Sequence, residues 1–188
     1  EALLSQENTR SQLIKNSGKN TLFLLEHNHT YTLGKNGNPN NILNKNCELF
    51  QTDRGGDVTY HGPGQLVGYP IINLKTMGLG IRSYVSNIEQ LLIDVLYDYG
   101  INASIKKGLT GVWIEDRKIA SIGIRVSQWI TTHGFALNVN TDMNYFSNII
   151  SCGIDNVSMT SMEKELNKKI SISDVKQSTI NHFNDIFK

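Results

Sequence analysis

Four glycines, Gly55, Gly56, Gly62 and Gly64, alternate with Arg54, Asp57, Tyr60 and His61 in R-G-G-D-V-T-Y-H-G-P-G-Q, and the apolar run L-V-G-Y-P-I-I-N-L follows at once. A run so rich in glycine loses too much conformational entropy to serve as helix or strand interior. The apolar, β-branched run after it reads as a strand buried on both faces. The fold must therefore seat a polar loop at the entrance of a buried strand. Glycine lets the backbone adopt positive φ and approach a ligand closely, while Pro63 stiffens the turn. No Gly-Lys-Ser/Thr follows the glycines and no G-x-G-x-x-G leads into a helix, so a phosphate cradle and ATP use are not indicated.

The chain has 188 residues, which suits a single domain spanning 1–188. Its formal charge of +1 indicates neither a nucleic-acid surface nor a polybasic membrane surface. Two cysteines, Cys47 and Cys152, do not make a disulfide scaffold, so a reducing compartment is expected. No apolar run reaches the roughly twenty residues of a membrane-spanning helix, and the first residues do not form a signal peptide. The chain starts at Glu1 rather than Met and is rich in asparagine. Both a bacterial cytoplasm and an organelle, a plastid, apicoplast or mitochondrion, remain expected settings.

Mixed elements without repeats follow along the chain. Leu13 and Ile14 close an N-terminal helix, and T-L-F-L-L-E-H reads as a strand. The Asn- and Gly-rich stretch 34–46 reads as a solvated loop. From Ile81 the apolar residues Tyr84, Val85, Ile88, Leu91, Leu92, Val95, Leu96 and Tyr99 recur at helical spacing, with Gly100 placed to terminate the helix. G-V-W-I-E-D-R-K-I-A-S-I-G-I-R-V predicts a hairpin turning at Glu115 to Arg117, and F-A-L-N-V-N another strand. Thr160 with Glu163 has capping-box spacing, and Ser173 is placed to cap a last helix carrying Val175, Phe183 and Phe187. The expected class is α+β, a mixed or mostly antiparallel sheet flanked by helices.

Chemistry-bearing candidates are few. Cys152, in S-C-G-I, lies outside periodic segments beside a glycine, a setting that exposes a thiol to a cleft; on its own a single cysteine is more often inert packing. Cys47 is assigned to strand packing. Lys118 opens an otherwise apolar strand, as a lysine snorkelling from a hairpin end or as the partner of a thiol. His27 and His29 have the same-face spacing of a strand, but no carboxylate or second cysteine joins them at ligand spacing, so no metal is expected. His61 and His133 are candidates for a Cys-His pair or, more ordinarily, for orienting loops by hydrogen bonds.

Taken in order, R-G-G-D-V-T-Y-H-G-P-G-Q-L-V-G-Y-P, G-V-W-I-E-D-R-K-I-A-S-I-G-I-R-V, H-G-F-A-L-N-V-N, S-C-G-I and V-S-M-T-S-M resemble the signature blocks of the lipoyl/octanoyl transferases across nearly the whole chain. The resemblance implies a fold like the biotin and lipoate protein ligase catalytic domain. It further implies transfer of an octanoyl group from octanoyl-acyl carrier protein to a lysine of a lipoyl domain, in 2-oxoacid dehydrogenases or the glycine cleavage H protein, through a cysteine thioester. It carries the nucleophile onto Cys152 and the activating lysine onto Lys118. Substrate binding falls on Arg54, Gly55, Gly56, Asp57, Val58, Thr59, Tyr60 and His61, on Ser121, Ile122 and Gly123, and on Gly134, Phe135 and Ala136. No cofactor, metal, nucleic acid or membrane is implied, and a monomer is expected. The chain departs from the pattern at Ser151, where a proline usually precedes the cysteine, and at Asn28 and His29, where two prolines usually follow Glu-His.

An ATP-dependent lipoate or biotin ligase would share the fold but needs no nucleophilic cysteine. A thiol hydrolase would release free acid, and a non-catalytic lipoyl-domain-binding module would form no acyl-enzyme.

Overall fold

The computed structural model describes residues 1–151 and 157–188. The chain begins with helix α1 (Ala2–Ile14), strands β1 (Thr21–Leu25), β2 (Thr30–Leu33), β3 (Leu49–Gln51), β4 (Thr59–His61) and β5 (Gln65–Ile71), and helix α2 (Ile81–Asp98). Strands β6 (Ser104–Lys106), β7 (Leu109–Ile114), β8 (Arg117–Ser127), β9 (Ile130–Asn138) and β10 (Ser158–Met159) come next. Helices α3 (Met162–Leu166) and α4 (Ile172–Ile186) end it. One sheet has the order β1-β5-β9-β8-β7-β6, antiparallel throughout, with β10 added parallel to the start of β8. A second, smaller sheet runs β3-β2-β4.

The α+β expectation therefore holds, and the run after the glycine loop is a central strand, β5, paired on both sides. Helix α2 buries Tyr84, Ile88, Leu91, Leu92, Val95 and Leu96 against Leu66, Val112, Ala120 and Leu137 of the sheet. At about 1.5–3 kcal/mol for each fully buried apolar side chain, this stripe outweighs the few tenths that its β-branched residues lose to poor helix propensity. Gly100, at φ +76°, ends the helix where the spacing placed it, with Ile101 N–H donating to Leu96 C=O and Gly100 N–H to Tyr97 C=O. Helix α1 packs on the opposite face, where Leu13 meets Ile71 and Ile130. Tyr31, Leu33, Val58, Tyr60, Phe146, Ile149 and Met159 form a second core behind the small sheet.

Local details differ from the sequence expectations. The hairpin turns on Glu115 and Asp116, with Glu115 at φ +51°, so Arg117 already belongs to β8. Ser161, not Thr160, caps α3, because the Thr160 hydroxyl donates to Glu165 Oε1. Ser171, not Ser173, caps α4 by accepting from Asp174 N–H. Within the Asn-rich stretch, Pro39–Asn41 form a short 3-10 turn and Ile42 bridges to Ile149, which draws part of the loop onto the second core.

Candidate active site

A cavity of about 1100 Å³ opens between the large sheet's α1-side face and the small sheet, slightly above the range usual for small-molecule sites. Its floor is made of small side chains in register. Ser121 pairs with Ala136 and Ala136 with Val67, and on the next rung Gly123 pairs with Gly134. These residues alternate with Leu66, Ala120, Phe135 and Leu137, which face the helices. The period-2 alternation thus separates a core of large residues from a floor with depth above it.

Lys118 reaches this cavity through an irregularity in β8. Strands β7 and β8 pair at Ile114–Arg117 and Trp113–Lys118, and then at Val112–Ala120, so Ile119 is the extra residue of a β-bulge. Ile119 and Ala120 both enter the main core. Beyond the bulge, even-numbered β8 residues face the helices; without it, Lys118 would share their parity and point into apolar packing. The bulge turns the lysine to the cavity wall, where it is 3 % exposed with Nζ 5.3 Å from the Trp113 ring centroid. Trp113 is held in turn by Nε1–H donating to Leu109 C=O.

The glycine-rich loop is pinned by its own polar residues. Arg54 Nη2 donates to Thr32 C=O at 2.7 Å and to Thr32 Oγ1 at 2.8 Å, joining the loop to β2. Asp57 accepts from Val58 N–H, Asn38 N–H and Asn41 Nδ2. Gly55 N–H donates to Ile124 C=O on the edge of β8 that β7 leaves uncovered beyond Ala120. Gly56 has φ +84°, and a Cβ at Gly34 would lie 2.1 Å from its carbonyl oxygen, so two strands of chain pass at backbone contact. Arg54, Gly56, Asp57, Val58, Thr59 and His61 line the cavity, as do Ser121, Gly123, Gly134 and Ala136, while Ile122 and Phe135 border it although their side chains pack with the helix-side core. Gly55 and Tyr60 lie off its wall. Alternation along β4 sends Tyr60 opposite to Thr59 and His61, into the second core, where its ring stacks on Tyr145.

His27 and His29 fall in the connection between β1 and β2 rather than on a strand face. His27 Nε2 bonds Tyr69 Oη at 2.7 Å, and His29 Nδ1 bonds Tyr60 Oη at 2.7 Å. Among the described residues no group of three or more His, Cys, Asp or Glu is placed to hold a metal ion. His133, at φ +58°, turns its N–H to Gln6 Oε1 of α1, and its Nε2 meets Asp53 Oδ1 at 2.7 Å. Burial pushes His133 below the usual imidazole range, with Asp53 opposing. Burial works to raise the Asp53 carboxyl, but His133 and the Arg125 guanidinium hold it below its ordinary value. Burial drives His61 down to about 3, so this ring is neutral at any working pH.

Cys152 lies outside the described residues. On the described side of that segment, β10 pairs Met159 with Lys118, and Thr160 N–H donates to the Lys118 carbonyl at 3.0 Å. Cys47 sits half-buried in the turn before β3, packed on the second core but not in a strand. Two features behind the wall carry no signal in the sequence. Gly111, at φ +126°, leaves the space that Lys118 fills, and Gln65 with Asn138 forms a buried polar pair across β5 and β9.

Comparison with known proteins adds a family. Residues 1–184 match the lipoyl protein ligase A/B catalytic domain. An octanoyltransferase of Solibacter usitatus is 46% identical over 193 aligned positions, covering 99% of this chain and 87% of that protein. One from Christiangramia forsetii is 43% identical, covering 90% and 78%. Among solved structures, a bi-partite lipoate protein ligase from Thermoplasma acidophilum superposes with TM-score 0.73 at 16% identity, covering 97% of this chain and 78% of that one. A biotin protein ligase from Aquifex aeolicus gives 0.53 at 16% identity over 66% and 53%. At such identities the two structures speak for the fold alone.

Proposed function

The chain belongs to the lipoyl protein ligase A/B catalytic-domain family, and on that premise we propose that it moves an octanoyl group from acyl carrier protein to a lysine of a lipoyl domain through a thioester on Cys152. Relatives 42–46% identical over most of the chain are octanoyltransferases, which supports this reading. The observation that carries the residue assignment is Lys118, turned by a bulge onto the wall of a cavity whose floor is cleared of large side chains.

In this reading Lys118 Nζ takes the thiol proton as Cys152 Sγ attacks the carrier's thioester carbonyl. The bond from that carbon to the carrier sulfur breaks, and the departing thiolate receives the proton. The acceptor amine then attacks the acyl-enzyme, an amide forms, and Sγ leaves and is reprotonated with Lys118 as the shuttle. One thioester replaces another in the first step and an amide replaces a thioester in the second, so the sequence runs downhill without a nucleotide. The alkyl chain contributes about 0.8 kcal/mol for each methylene buried in the cavity.

Intact-protein mass spectrometry after incubation with octanoyl-acyl carrier protein tests this. One octanoyl adduct is expected in the parent and in Cys47→Ser, and none in Cys152→Ser. An adduct that persists in Cys152→Ser overturns the nucleophile assignment.

A further inference from the structure

A directed chain of hydrogen bonds runs through buried side chains behind the cavity wall and ends on His61, which lines it. Gln65 and Asn138 face each other across β5 and β9, 2 % and 1 % exposed. Asn138 Nδ2 donates to the Thr160 carbonyl at 3.0 Å. A carbonyl can only accept, so this end of the Asn138 amide is its NH₂ and the other end is its oxygen. That oxygen, Oδ1, accepts from Gln65 Nε2 at 2.9 Å, and the same Nε2 donates to the Tyr60 carbonyl at 3.2 Å. Flipping Gln65 would set its oxygen against two acceptors, Tyr60 C=O and Asn138 Oδ1. Its orientation is thereby fixed, with Oε1 facing His61 Nδ1 at 2.8 Å.

The proton of the neutral imidazole must then sit on Nδ1, leaving Nε2 as a lone pair. His61 lines the cavity, and Nε2 has no hydrogen-bond partner among the described residues. We propose that His61 Nε2 is a fixed hydrogen-bond acceptor on the cavity wall that receives an N–H of bound substrate, either an amide of the carrier's pantetheine arm or the amine of the acceptor lysine. Gln65 and Asn138 are positioning residues that set its tautomer. Burial also lowers the ring's basicity so far that it accepts hydrogen bonds without taking up a proton. A base at this point would compete with Lys118 for protons; an acceptor orients an N–H and leaves proton transfer to the lysine. The identity of the two substrates rests on the octanoyl-transfer reading, whereas the tautomer does not.

Long-range ¹H–¹⁵N correlation spectra of the full chain test the proposal without turnover. At pH 7 and pH 5 alike, His61 is expected to show protonated Nδ1 and bare Nε2. In Gln65→Met both tautomers are expected to be populated. S-octyl pantetheine, a thioether that cannot acylate a thiol, is added in one arm and an unmodified lipoyl domain in the other. A saturable shift of the Nε2 resonance in one arm names the source of the N–H. For that substrate, His61→Phe is expected to raise KM about tenfold with kcat within roughly twofold, the scale of one neutral hydrogen bond. The opposite tautomer, a doubly protonated ring, or an Nε2 resonance that neither addition moves overturns the proposal. Loss of the octanoyl adduct in the mass experiment would instead strike the transfer reading, since the nitrogen assignments need no chemistry.

Discussion

Gly111 and Lys118 share one volume: a Cβ on the glycine would fall 2.6 Å from the lysine Cε and 3.2 Å from Nζ. The glycine also has φ +126°, which side-chain-bearing residues rarely adopt, and the same Cβ would lie 2.6 Å from the Ala120 carbonyl oxygen. Gly111→Ala is therefore expected to lower stability by about 2 kcal/mol through backbone strain and crowding. It should lower acyl loading of Cys152 by a much larger factor, because Lys118 has to leave its seat on Trp113. Urea denaturation and single-turnover loading, measured on the same preparation, check this; loading that falls only in proportion to the folded fraction argues against it.

Lys118→Arg puts a permanently protonated guanidinium near Trp113, which cannot take up the thiol proton at working pH. Transfer is expected to fall by about 10²–10⁴, the usual contribution of general acid–base catalysis, with the circular dichroism spectrum unchanged. Near-normal turnover in this variant would move the base elsewhere.

Gly56→Val puts a branched side chain at φ +84°, 3.5 Å from Arg54 Nη1, in the segment that lines the cavity and docks on β8. Octanoyl loading should be blocked while iodoacetamide still labels Cys152 at the parent rate. If loading survives, the loop is a turn and not a substrate wall.

Glu165 receives Arg117 Nε at 2.9 Å and Nη2 at 3.1 Å and the Thr160 hydroxyl, tying the residue before Lys118 to the chain that follows β10. The hydrogen bonds from Arg117 hold its carboxyl below the usual glutamate value. A depressed carboxyl contributes stability that is complete above its unfolded pKa of roughly 4.3 and is lost as pH falls through the lower folded value. The parent should therefore lose stability below about pH 4.3 more steeply than Glu165→Gln, whose glutamine does not titrate. Urea midpoints between pH 6 and pH 3 report it, and parallel curves would refute it.

Much of this was legible in the chain. Arg54 to Asp57 announced itself by a density of glycine and charge that a helix or strand interior would not tolerate, although Thr59–His61 of the same run forms the short strand β4, and α2 announced itself by the recurrence of Tyr84, Ile88, Leu91 and Val95. The aim of Lys118 was not legible, since I-A-S-I-G-I carries no mark that Ile119 is an unpaired extra residue; bulges depend on the partner strand. Tyr60 could have been placed, because period 2 puts it opposite Thr59 and His61 once T-Y-H is read as a strand. The caps were misread by one and two residues where several hydroxyls stood in a row and tertiary partners decided among them. Thr160 was taken by Glu165, leaving Ser161 for the helix. Gln65 and Asn138 are seventy-three positions apart, and only the pairing of β5 with β9 makes them neighbours.

The hydrogen bond from Gly55 to Ile124 has a consequence outside catalysis. Beyond Ala120, β7 no longer pairs with β8, and a long strand with one uncovered edge is a template for joining another chain. The glycine loop caps that edge at Ile124, so the segment that lines the cavity also shields part of an open strand. Variants that lift it are expected to aggregate from a folded state, and poor yield in such variants would report a bare β8 rather than a failed core.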